Sequence, residues 1–497
     1  MGRKSMSSNH EKLPRQTILI LAGISILSLV VYLLASWLYY RPGFPLDDSW
    51  IHQTYARNLA LRGEWAFLPG QPSGGSTAPL WTLILSLGPL LRLGPFAWTF
   101  LAGALLLWAF SLLAETAVRR WVPSYRPRFP WVGAAFAVEW HLVWSAASGM
   151  ETLLHALLAT LVLVLIVSNT RRYFGLGLLI GLSVWVRPDG VTLLGPAFLA
   201  GLLYETGWRK RLRALAGLGI GFGGLFALYL LFNLFVAGSP WPSTFYAKQA
   251  EYSVYLQLPF FSRLGEEWLQ PMGGVGSVLV PGILLSILSA ARERKWGLLL
   301  AVAWGGGYLV LYAWRLPVTY QHGRYVIPAM PVFFLAGLTG MIAFILRPTR
   351  GYAWMIPFFW KTVAGVLVLA FWVQGAFAYG RDVAVIESEM VVTAQWVSDH
   401  LSPETLVAAH DIGALGYYGG HAIIDLAGLV SPEVIPFLRD EDRLALYLDE
   451  RQAGALVTFP GWYPSLTRDR VPVYVTGSPF APEMGEENLA VYLWGRP

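Results

Sequence analysis

Long apolar runs recur between residues 18 and 379 of this 497-residue chain, and they limit the folds that are open to it. The longest runs reach the ~20 residues that an α-helix needs to cross a ~30 Å hydrocarbon core. Overall, 55% of the residues are hydrophobic and only 13% are charged, which is too apolar for a set of soluble domains of this length. The sequence therefore predicts a polytopic α-helical membrane protein.

Eleven membrane spans are predicted from these runs. The first run follows a basic segment and closes on Trp37, Tyr39 and Tyr40, whereas a signal peptide would end in a small-residue cleavage site. Because such aromatic side chains anchor a helix at the membrane interface, the run is interpreted as a retained first helix. The predicted spans are residues 18–38, 95–118, 131–147, 152–167, 173–186, 191–203, 212–236, 276–291, 297–314, 325–346 and 362–379.

A shorter apolar segment, residues 79–93, decides the orientation of everything after it. It has 15 residues with Gly88 and Pro89 inside, so it is predicted to lie at the membrane interface without crossing. One set of alternating loops then carries 20 Lys and Arg residues, against nine on the opposite face before the C-terminal region. By the positive-inside rule the richer set is cytoplasmic. That set is Arg3, Lys4, Lys12, Arg15, Arg119, Arg120, Arg126, Arg128, Arg171, Arg172, Arg209, Lys210, Arg211, Arg213, Arg292, Arg294, Lys295, Arg347, Arg350 and Lys361.

The composition changes after residue 379. Residues 381–497 hold 17 of the 30 acidic residues and no apolar run long enough to span a membrane. Here the sequence predicts a helix over residues 391–400 and short buried strands over residues 406–409, 422–425, 455–459 and 471–475. The expected organisation is a transmembrane catalytic domain over residues 1–380, with its first external loop at 40–95, and an extracytoplasmic α/β domain over 381–497. The protein is expected in the inner (plasma) membrane with a cytoplasmic N-terminus.

Two adjacent carboxylates, Asp47 and Asp48, directly follow the first span. They could form a helix cap just outside the membrane, because Asp is common before an apolar-periodic helix. Other notable polar residues also fall on the predicted external face, and ionisable groups at membrane depth are functional candidates. These residues are Glu151, Arg187, Asp189, Tyr246, Lys248, His322 and Arg324.

Each of these residues alone also has a structural interpretation. Arg187 and Asp189 could pair with each other, and Glu151 could be a charge that stabilises a helix N-terminus. Lys248 and Arg324 could extend their charged ends to lipid headgroups. Their convergence on one face is therefore better support for a site than any single residue.

As a set, the residues fit the transfer of a group away from a phosphate. The two carboxylates can supply a general base for an acceptor hydroxyl or coordinate a cation. Lys248, Arg324 and Arg187 can hold a phosphate leaving group, and His322 could donate to the same phosphate. The sequence has no Walker loop and no GxGxxG after a strand, which gives a nucleotide site no support. It has no cysteine, which excludes disulfides and thiolate metal sites.

A family resemblance rests on several short motifs in register. The segments 46–51 and 55–60 resemble the first-loop motif of a bacterial GT-C glycosyltransferase group, which includes the mycobacterial terminal arabinofuranosyltransferase and relatives of the protein mannosyltransferases. Later motifs of this group are similar to residues 76–81, 148–152, 187–190, 242–248 and 323–325, and a C-terminal element is similar to residues 410–418 with 424–429.

The resemblance implies a polyprenyl-phosphate sugar donor, inversion at the anomeric carbon and an external active site. It implies Asp47 as the general base, with Asp48 supporting it or the acceptor. A divalent cation (Mg, Mn or Ca) is left open, and the partners expected are the lipid bilayer and a glycan, lipid or protein acceptor, with no nucleic acid. The expected donor-phosphate ligands are Lys248, Arg324, Arg187 and His322, and the expected substrate contacts are Tyr55, Arg57, Glu151, Asp189 and Tyr246.

Two other classes of protein remain alternatives. A transporter or flippase of lipid-linked saccharides would be expected to show internal repeats and polar groups near the midplane, whereas this chain shows no repeat and gathers its polar groups at one face. A non-enzymatic envelope assembly protein would not need paired carboxylates beside phosphate ligands. The C-terminal domain also has two possible roles. It could bind the acceptor, through Tyr417 and Tyr418, or it could be a cap that stabilises the membrane domain.

Overall fold

The computed structural model describes residues 13–347 and 355–495, so that Arg3, Lys4, Lys12 and Arg350 of the basic set lie outside the described residues. Within the described residues, seven helical segments are long and apolar enough to cross a membrane, judged by length and composition. Each coincides with one of the eleven predicted spans. They are Arg15–Tyr39 (α1), Pro95–Trp121 (α4), Trp208–Ala237 (α10), Val275–Glu293 (α13), Trp296–Arg315 (α14), Tyr320–Ile345 and Met355–His400.

The other four predicted spans are shorter or interrupted. The run at 131–147 consists of two helices, because Glu139 interrupts it and caps the second helix. The Glu139 carboxylate accepts a 3.0 Å hydrogen bond from the backbone N–H of Leu142. The run at 191–203 begins as the 3₁₀ turn Pro188–Leu193. The helices are Trp131–Ala137 (α5), Trp140–Ala147 (α6), Thr152–Val167 (α7), Tyr173–Val186 (α8) and Leu194–Tyr204 (α9). The number of membrane crossings therefore stays a prediction.

The first loop is more ordered than its Gly- and Pro-rich sequence indicates. Its elements are Asp48–Arg62 (α2), a hairpin of Ala66–Leu68 (β1) and Gln71–Pro72 (β2), and Pro79–Leu90 (α3). Gly63 ends α2 in the left-handed conformation, at φ 70°. The Asn58 amide then donates to the carbonyls of Ala66 and Phe67 at 2.9 and 3.0 Å, which fixes the hairpin on α2.

Helix α3 bears on the orientation of the chain. Its 12 residues extend about 18 Å, well short of a ~30 Å hydrocarbon core. This length agrees with the expectation that residues 79–93 do not cross, which itself remains a prediction.

Short helices complete the helical part, and the last long helix leads into the C-terminal domain. Helix α17 (Met355–Ile386) passes through residue 380 without a break and continues through a π-helical turn, Glu387–Val391, into α18 (Val392–His400). A boundary between residues 380 and 381 therefore stays a proposal. The helices are Ser243–Glu251 (α11), Phe260–Met272 (α12), Tyr320–Gly323 (α15), Met330–Ile345 (α16), Met355–Ile386 (α17), Val392–His400 (α18), Glu441–Glu450 (α19), Pro464–Thr467 (α20) and Phe480–Glu483 (α21).

The C-terminal α/β domain is built on a mixed five-stranded sheet in the order β4-β3-β5-β7-β6. Strand β3 pairs in parallel with β4 and β5, while β7 pairs antiparallel with β5 and β6. Four strands coincide with the predicted ones, and β7 was not predicted. The strands are Val407–Ala409 (β3), Ile423–Asp425 (β4), Ala455–Thr458 (β5), Tyr474–Val475 (β6) and Ala490–Leu493 (β7).

The first loop and the C-terminal domain share one apolar core. Trp50 of α2 is fully buried, with its ring centroid 4.9 Å from those of Tyr417 and Tyr418. Phe44 and Phe67 of the first loop pack in the same cluster as Val407 and other strand residues. This core is separate from the apolar core of the helix bundle, so the first loop is packed mainly by the C-terminal domain.

Candidate active site

A cavity of about 370 Å³ lies at the end of the helix bundle where α2 meets the connecting loops. It combines charged side chains with an apolar wall that includes Trp241, Phe245, Leu311 and Leu316. Six of the residues expected in the site from the sequence line it together. They are Asp48, Glu151, Arg187, Asp189, Lys248 and Arg324.

Arg324 and Asp48 form the closest ion pair in this cavity. Arg324 Nη2 donates to Asp48 Oδ2 at 2.6 Å and to the Tyr325 hydroxyl at 3.0 Å. Although Arg324 is only 4% exposed, its Nε and Nη1 atoms have no hydrogen-bond partner in the described part of the chain. Buried donors without a partner are costly, so this guanidinium is suited to receive an anion.

Lys248 lies on α11 beside this pair. Its Nζ is 3.1 Å from Glu251 Oε2 and lies 5.4 Å from the centre of the Tyr252 ring. Burial alone would lower the pKa of Lys248, but Glu251 and Asp48 raise it well above its usual range. The ammonium group is therefore held in its charged form next to Asp48.

Asp48 is kept ionised by these two cations. Burial alone would raise the pKa of Asp48, but the positive charges of Arg324 and Lys248 bring it below its usual value. The side chain is 28% exposed, and its Oδ1 atom makes no hydrogen bond within residues 13–347 and 355–495. One carboxylate oxygen thus stays open to the cavity.

Arg187 and Asp189 also line the cavity, but they are engaged with each other. Arg187 Nη2 lies 3.1 Å from Asp189 Oδ2 and donates to the Tyr312 hydroxyl at 2.8 Å. The hydroxyls of Tyr308 and Tyr312 each donate to Asp189 Oδ2 at 2.5 Å. Since Glu151 adds a second carboxylate 4.0 Å from Arg187, less of the Arg187 charge is available to a ligand than that of Arg324.

Asp47 does not line the cavity. Its two carboxylate oxygens accept hydrogen bonds from the backbone N–H groups of Gly413 and Ala414, at 2.6 and 2.8 Å. A Cβ atom at Gly413 would collide with the backbone carbonyl of Asp47, so the close approach requires glycine. Asp47 and Asp48 point in different directions because consecutive positions at a helix start are about 100° apart. Asp47 therefore joins the first loop to the C-terminal domain.

The electrostatic surroundings of Asp47 differ from those of Asp48. Burial and the nearby Asp411 carboxylate raise the pKa of Asp47 to about 8, although the N–H groups of Gly413 and Ala414 oppose the rise. Burial raises the pKa of Asp411 in turn, to about 6. The pKa values of Asp47 and Asp48, which are adjacent in sequence, are thus shifted in opposite directions.

Tyr55 and Arg57, expected to contact substrate, make hydrogen bonds to other parts of the protein. The Tyr55 hydroxyl lies 2.6 Å from Ser73 Oγ and accepts from the Gly75 N–H at 3.0 Å. The Arg57 guanidinium donates to the carbonyls of Tyr417 and Gly416, at 2.6 and 3.1 Å. Tyr55 fixes the first loop, and Arg57 fixes that loop to the C-terminal domain.

Tyr246 and His322 lie outside the cavity lining as well. Tyr246 is on the outer side of α11 with 40% of its surface exposed. His322 Nε2 is 2.7 Å from Asp382 Oδ2, and its ring lies edge-on to Trp140 and Trp144. Its imidazole is thus engaged in a separate pair, and the phosphate contact expected of His322 stays a prediction.

His52 is a cavity residue that the sequence did not reveal. Its Nε2 is 3.3 Å from Glu151 Oε2, and its Nδ1 is 3.2 Å from Ser76 Oγ. It follows Asp48 by four positions on α2, so both project from one helix face, and this spacing could have indicated it. Arg315 at the end of α14 also lines the cavity and donates to Gln249 at 2.8 Å.

A metal ion has no evident ligand group in this site. Across residues 13–347 and 355–495, no group of three or more His, Asp or Glu side chains comes together in a way that could hold one. The carboxylate of Asp48 is instead matched by the cations of Arg324 and Lys248. The described residues of this site therefore offer no ligand set for the divalent cation that the sequence left open.

Comparison with solved structures identifies the fold. ArnT from Cupriavidus metallidurans in the apo state is 15% identical and has a TM-score of 0.59, with 96% of this chain and 97% of that chain covered. The same protein bound to undecaprenyl phosphate gives a TM-score of 0.57 at 15% identity over the same shares. Arabinofuranosyltransferase AftD from Mycobacteria is 17% identical with a TM-score of 0.51, over 90% of this chain but only 37% of that chain.

These likenesses define the class of fold. The chain has the polytopic GT-C fold of membrane glycosyltransferases, followed by a small C-terminal sheet domain. A family model described as a domain of unknown function (DUF8728) matches residues 381–487, within the C-terminal region. Among curated proteins, none matches the sequence significantly.

Proposed function

We propose that this protein is a membrane glycosyltransferase that moves a sugar from a polyprenyl-phosphate carrier to a hydroxyl of an extracytoplasmic glycan, lipid or protein. The observation that carries the proposal is the pairing of Arg324, with two free guanidinium nitrogens, to the cavity carboxylate of Asp48. Together with Lys248, this arrangement offers an anion site directly beside a base. Departure of a phosphate requires the cations, and attack by a hydroxyl requires the base.

The apolar wall of the cavity supports a lipid-linked donor. Trp241 and Phe245 stack with ring centroids 5.7 Å apart, and Leu311 and Leu316 continue the wall along α14. A prenyl chain would lie against these side chains while its phosphate meets Arg324. The binding of undecaprenyl phosphate by ArnT, which has the same fold, is in line with this donor class.

In the proposed reaction, Asp48 Oδ1 accepts the proton of the acceptor hydroxyl. The new bond forms between that oxygen and the anomeric carbon as the bond from the anomeric carbon to the phosphate oxygen breaks. The electron pair of the broken bond stays on the polyprenyl phosphate, whose charge Arg324 and Lys248 stabilise. A single displacement of this kind inverts the anomeric configuration.

The geometry favours Asp48 over Asp47 as the base. Asp47 has both oxygens engaged by the N–H groups of Gly413 and Ala414, whereas Asp48 has a free oxygen at the cavity. We assign Asp47 the role of a positioning residue, which sets the start of α2 against the C-terminal domain. Glu151 and Asp189 would orient Arg187 and the sugar hydroxyls within the same cavity.

The proposed orientation follows the charge of the loops. The cavity is built from loops of the predicted external face, so transfer would take place outside the cytoplasm, with the N-terminus inside. The C-terminal domain would then be extracytoplasmic, and the protein would lie in the inner (plasma) membrane. Accessibility labelling of a single cysteine introduced at the exposed position Val471 tests this orientation in intact cells.

Transfer can be tested with the purified protein in nanodiscs. The donors are synthetic undecaprenyl- and decaprenyl-phosphate sugars labelled in the sugar, and the measurement is release of free polyprenyl phosphate together with label on the acceptor. We expect cleavage of at least one donor, lost in Arg324→Gln and kept in Arg62→Gln, which changes an exposed arginine at the end of α2. Movement of an intact donor across a proteoliposome membrane without cleavage would instead identify a transporter.

A further inference from the structure

A second cavity, of about 620 Å³, lies at the opposite end of the helix bundle. Trp296 and Leu298 at the start of α14 line it, whereas Leu311 and Arg315 near the end of that helix line the candidate active site. The 20 residues of α14 extend about 30 Å, and the lining residues Leu298 and Leu311 are about 20 Å apart along it. The second cavity therefore faces the other side of the predicted membrane.

The rim of this cavity is cationic. Arg120, Arg294, Lys295 and Arg347 line it, and no Asp or Glu is among its lining residues. Lys295 is paired with Glu293 at 2.7 Å. The side chains of Arg120, Arg294 and Arg347 make no hydrogen bond and no ion pair within the stretches that the structure describes. Glu293 is an acidic neighbour of the rim, since it also accepts from Ser289 at 2.8 Å and its charge interacts with that of Arg347. Four cations against one carboxylate leave the rim with a net positive charge for a ligand.

The rest of the lining holds hydroxyl groups and apolar side chains. Ser286 and Ser289 lie on α13, and the buried Thr339 Oγ1 has no partner among the described residues. Leu285 and Phe344 form part of the apolar lining, and Trp296 is half-exposed at the entrance. The cavity thus combines the three kinds of surface that the phosphate, glycerol backbone and acyl chain of a phospholipid would contact.

We propose that this second cavity binds one anionic phospholipid from the leaflet opposite the candidate active site. The lipid phosphate would be held by Arg120, Arg294 and Arg347, the glycerol region would lie at the serine and threonine hydroxyls, and an acyl chain would follow the apolar wall. Basic pockets between membrane helices are suited to acidic headgroups. The volume lies within the range of small-molecule sites. The proposal does not depend on the reaction at the other end of the bundle.

A lipid explains the apolar wall, which a free anion would leave unused. A soluble phosphate would be satisfied by the three arginines alone, with no need of the surface around Leu285 and Phe344. An acyl chain would cover that apolar surface, which a soluble anion leaves exposed. The two sources of phosphate can therefore be separated by experiment.

The test measures phospholipid binding to the purified, delipidated full chain. Thermal unfolding is followed in nanodiscs of phosphatidylcholine with increasing phosphatidylglycerol, and bound lipid is counted by native mass spectrometry. We expect saturable stabilisation with one phosphatidylglycerol retained. In the triple variant Arg120→Gln, Arg294→Gln, Arg347→Gln, the affinity should fall about 100-fold, because each Lys or Arg near an anionic headgroup contributes about 1 kcal/mol.

The matched control removes the same charge from the same face. Its substitutions are Arg172→Gln, Lys210→Gln and Arg213→Gln, three exposed positions that do not line the cavity, and it should bind phosphatidylglycerol as the wild type does. A second variant, Ala343→Phe, fills the cavity without changing charge and should also weaken binding. An equal loss in the control would overturn the proposal, since binding would then be general surface attraction.

Three further outcomes also count against the proposal. If inorganic phosphate alone stabilises the wild type as well as phosphatidylglycerol does, and only the triple variant loses this effect, the ligand is a soluble anion. If undecaprenyl phosphate displaces phosphatidylglycerol at equal concentration, the cavity is selective for the carrier lipid. Retention of one phosphatidylglycerol by both the triple variant and Ala343→Phe would show that the lipid binds elsewhere.

Discussion

Arg324 Nη2 donates a 2.6 Å hydrogen bond to Asp48 Oδ2, while Nε and Nη1 of the same guanidinium have no partner among the described residues. One arginine thus contacts the proposed base and is free to contact the proposed leaving group. A donor phosphate bound at the free nitrogens would draw positive charge away from Asp48 and make its carboxylate a stronger base. Donor binding and base activation are linked through this single side chain.

The first prediction concerns that link. Arg324→Lys keeps a positive charge but cannot span carboxylate and phosphate as a planar fork. We expect kcat/KM for the lipid-linked donor to fall about 10²–10³-fold, the range found when one preorganised transition-state donor is removed. Steady-state transfer assays measure this. The exposed-arginine variant Arg62→Lys should be unaffected, and a similar loss in that control would contradict the assignment.

The second prediction concerns pH. The pKa of Asp48 is lowered by Arg324 and Lys248, so the base stays ionised down to acidic pH. Lys248→Gln removes one of these positive charges, which raises the pKa of Asp48 and moves the acid limb of the kcat/KM profile to higher pH. Glu251→Gln is the control of opposite sign, because it removes a negative charge next to Lys248. An acid limb that stays in place in Lys248→Gln would argue against Asp48 as the group that titrates.

The third prediction concerns the attachment of the C-terminal domain. Asp47→Ala leaves the N–H groups of Gly413 and Ala414 without their acceptor, at about 1–3 kcal/mol for each buried donor. We expect the unfolding free energy to fall by about 2–4 kcal/mol and limited proteolysis to release the C-terminal domain faster. Asp399→Ala, at an exposed position on α18, is the control and should change neither measurement.

Gly413 provides an independent check of the same contact. A methyl group at this position would strike the Asp47 backbone, so Gly413→Ala should reproduce the proteolytic sensitivity of Asp47→Ala without any change of charge. Wild-type resistance in Gly413→Ala would mean that the two segments are not in close contact.

The fourth prediction separates His322 from the donor site. Because His322 pairs with Asp382 outside the cavity, His322→Gln should leave the KM for the donor unchanged and lower the melting temperature. In Arg324→Gln, by contrast, the main effect should be a large rise in the donor KM. A raised donor KM in His322→Gln would instead support the phosphate contact that the sequence predicted for His322.

The sequence indicated which residues would lie close together, but it did not indicate the contacts that each of them makes. Positive-inside counting brought Asp48, Lys248 and Arg324 to one face, and the three side chains meet in one cavity. It could not separate Asp47 from Asp48, because their roles depend on the direction in which each side chain leaves the first turn of α2. That direction is set by the distant backbone at Gly413.

The protein contacts of Tyr55 and Arg57 could not be predicted for a similar reason, and their substrate contacts stay predictions. Both belong to a motif that the resemblance associates with the site, yet their partners are the carbonyls and hydroxyls of residues that fold back from elsewhere in the chain. Strand β7 was not predicted for a related reason, because β7 is defined by antiparallel pairing with β5, about 35 residues earlier. The local sequence pattern identifies apolar runs well. The hydrogen bonds of individual side chains and the pairing of strands depend on residues far along the chain.

The central claim is that Asp48, rather than Asp47, is the base for transfer from a polyprenyl-phosphate sugar. Single-turnover transfer with saturating donor tests it most directly, with Asp48→Asn compared with Asp47→Asn and with donor binding measured in parallel. The account predicts that Asp48→Asn binds donor but transfers about 10²–10⁴-fold more slowly, while folded Asp47→Asn retains most of its rate. Full activity in Asp48→Asn, or loss of the chemical step in well-folded Asp47→Asn alone, would contradict it.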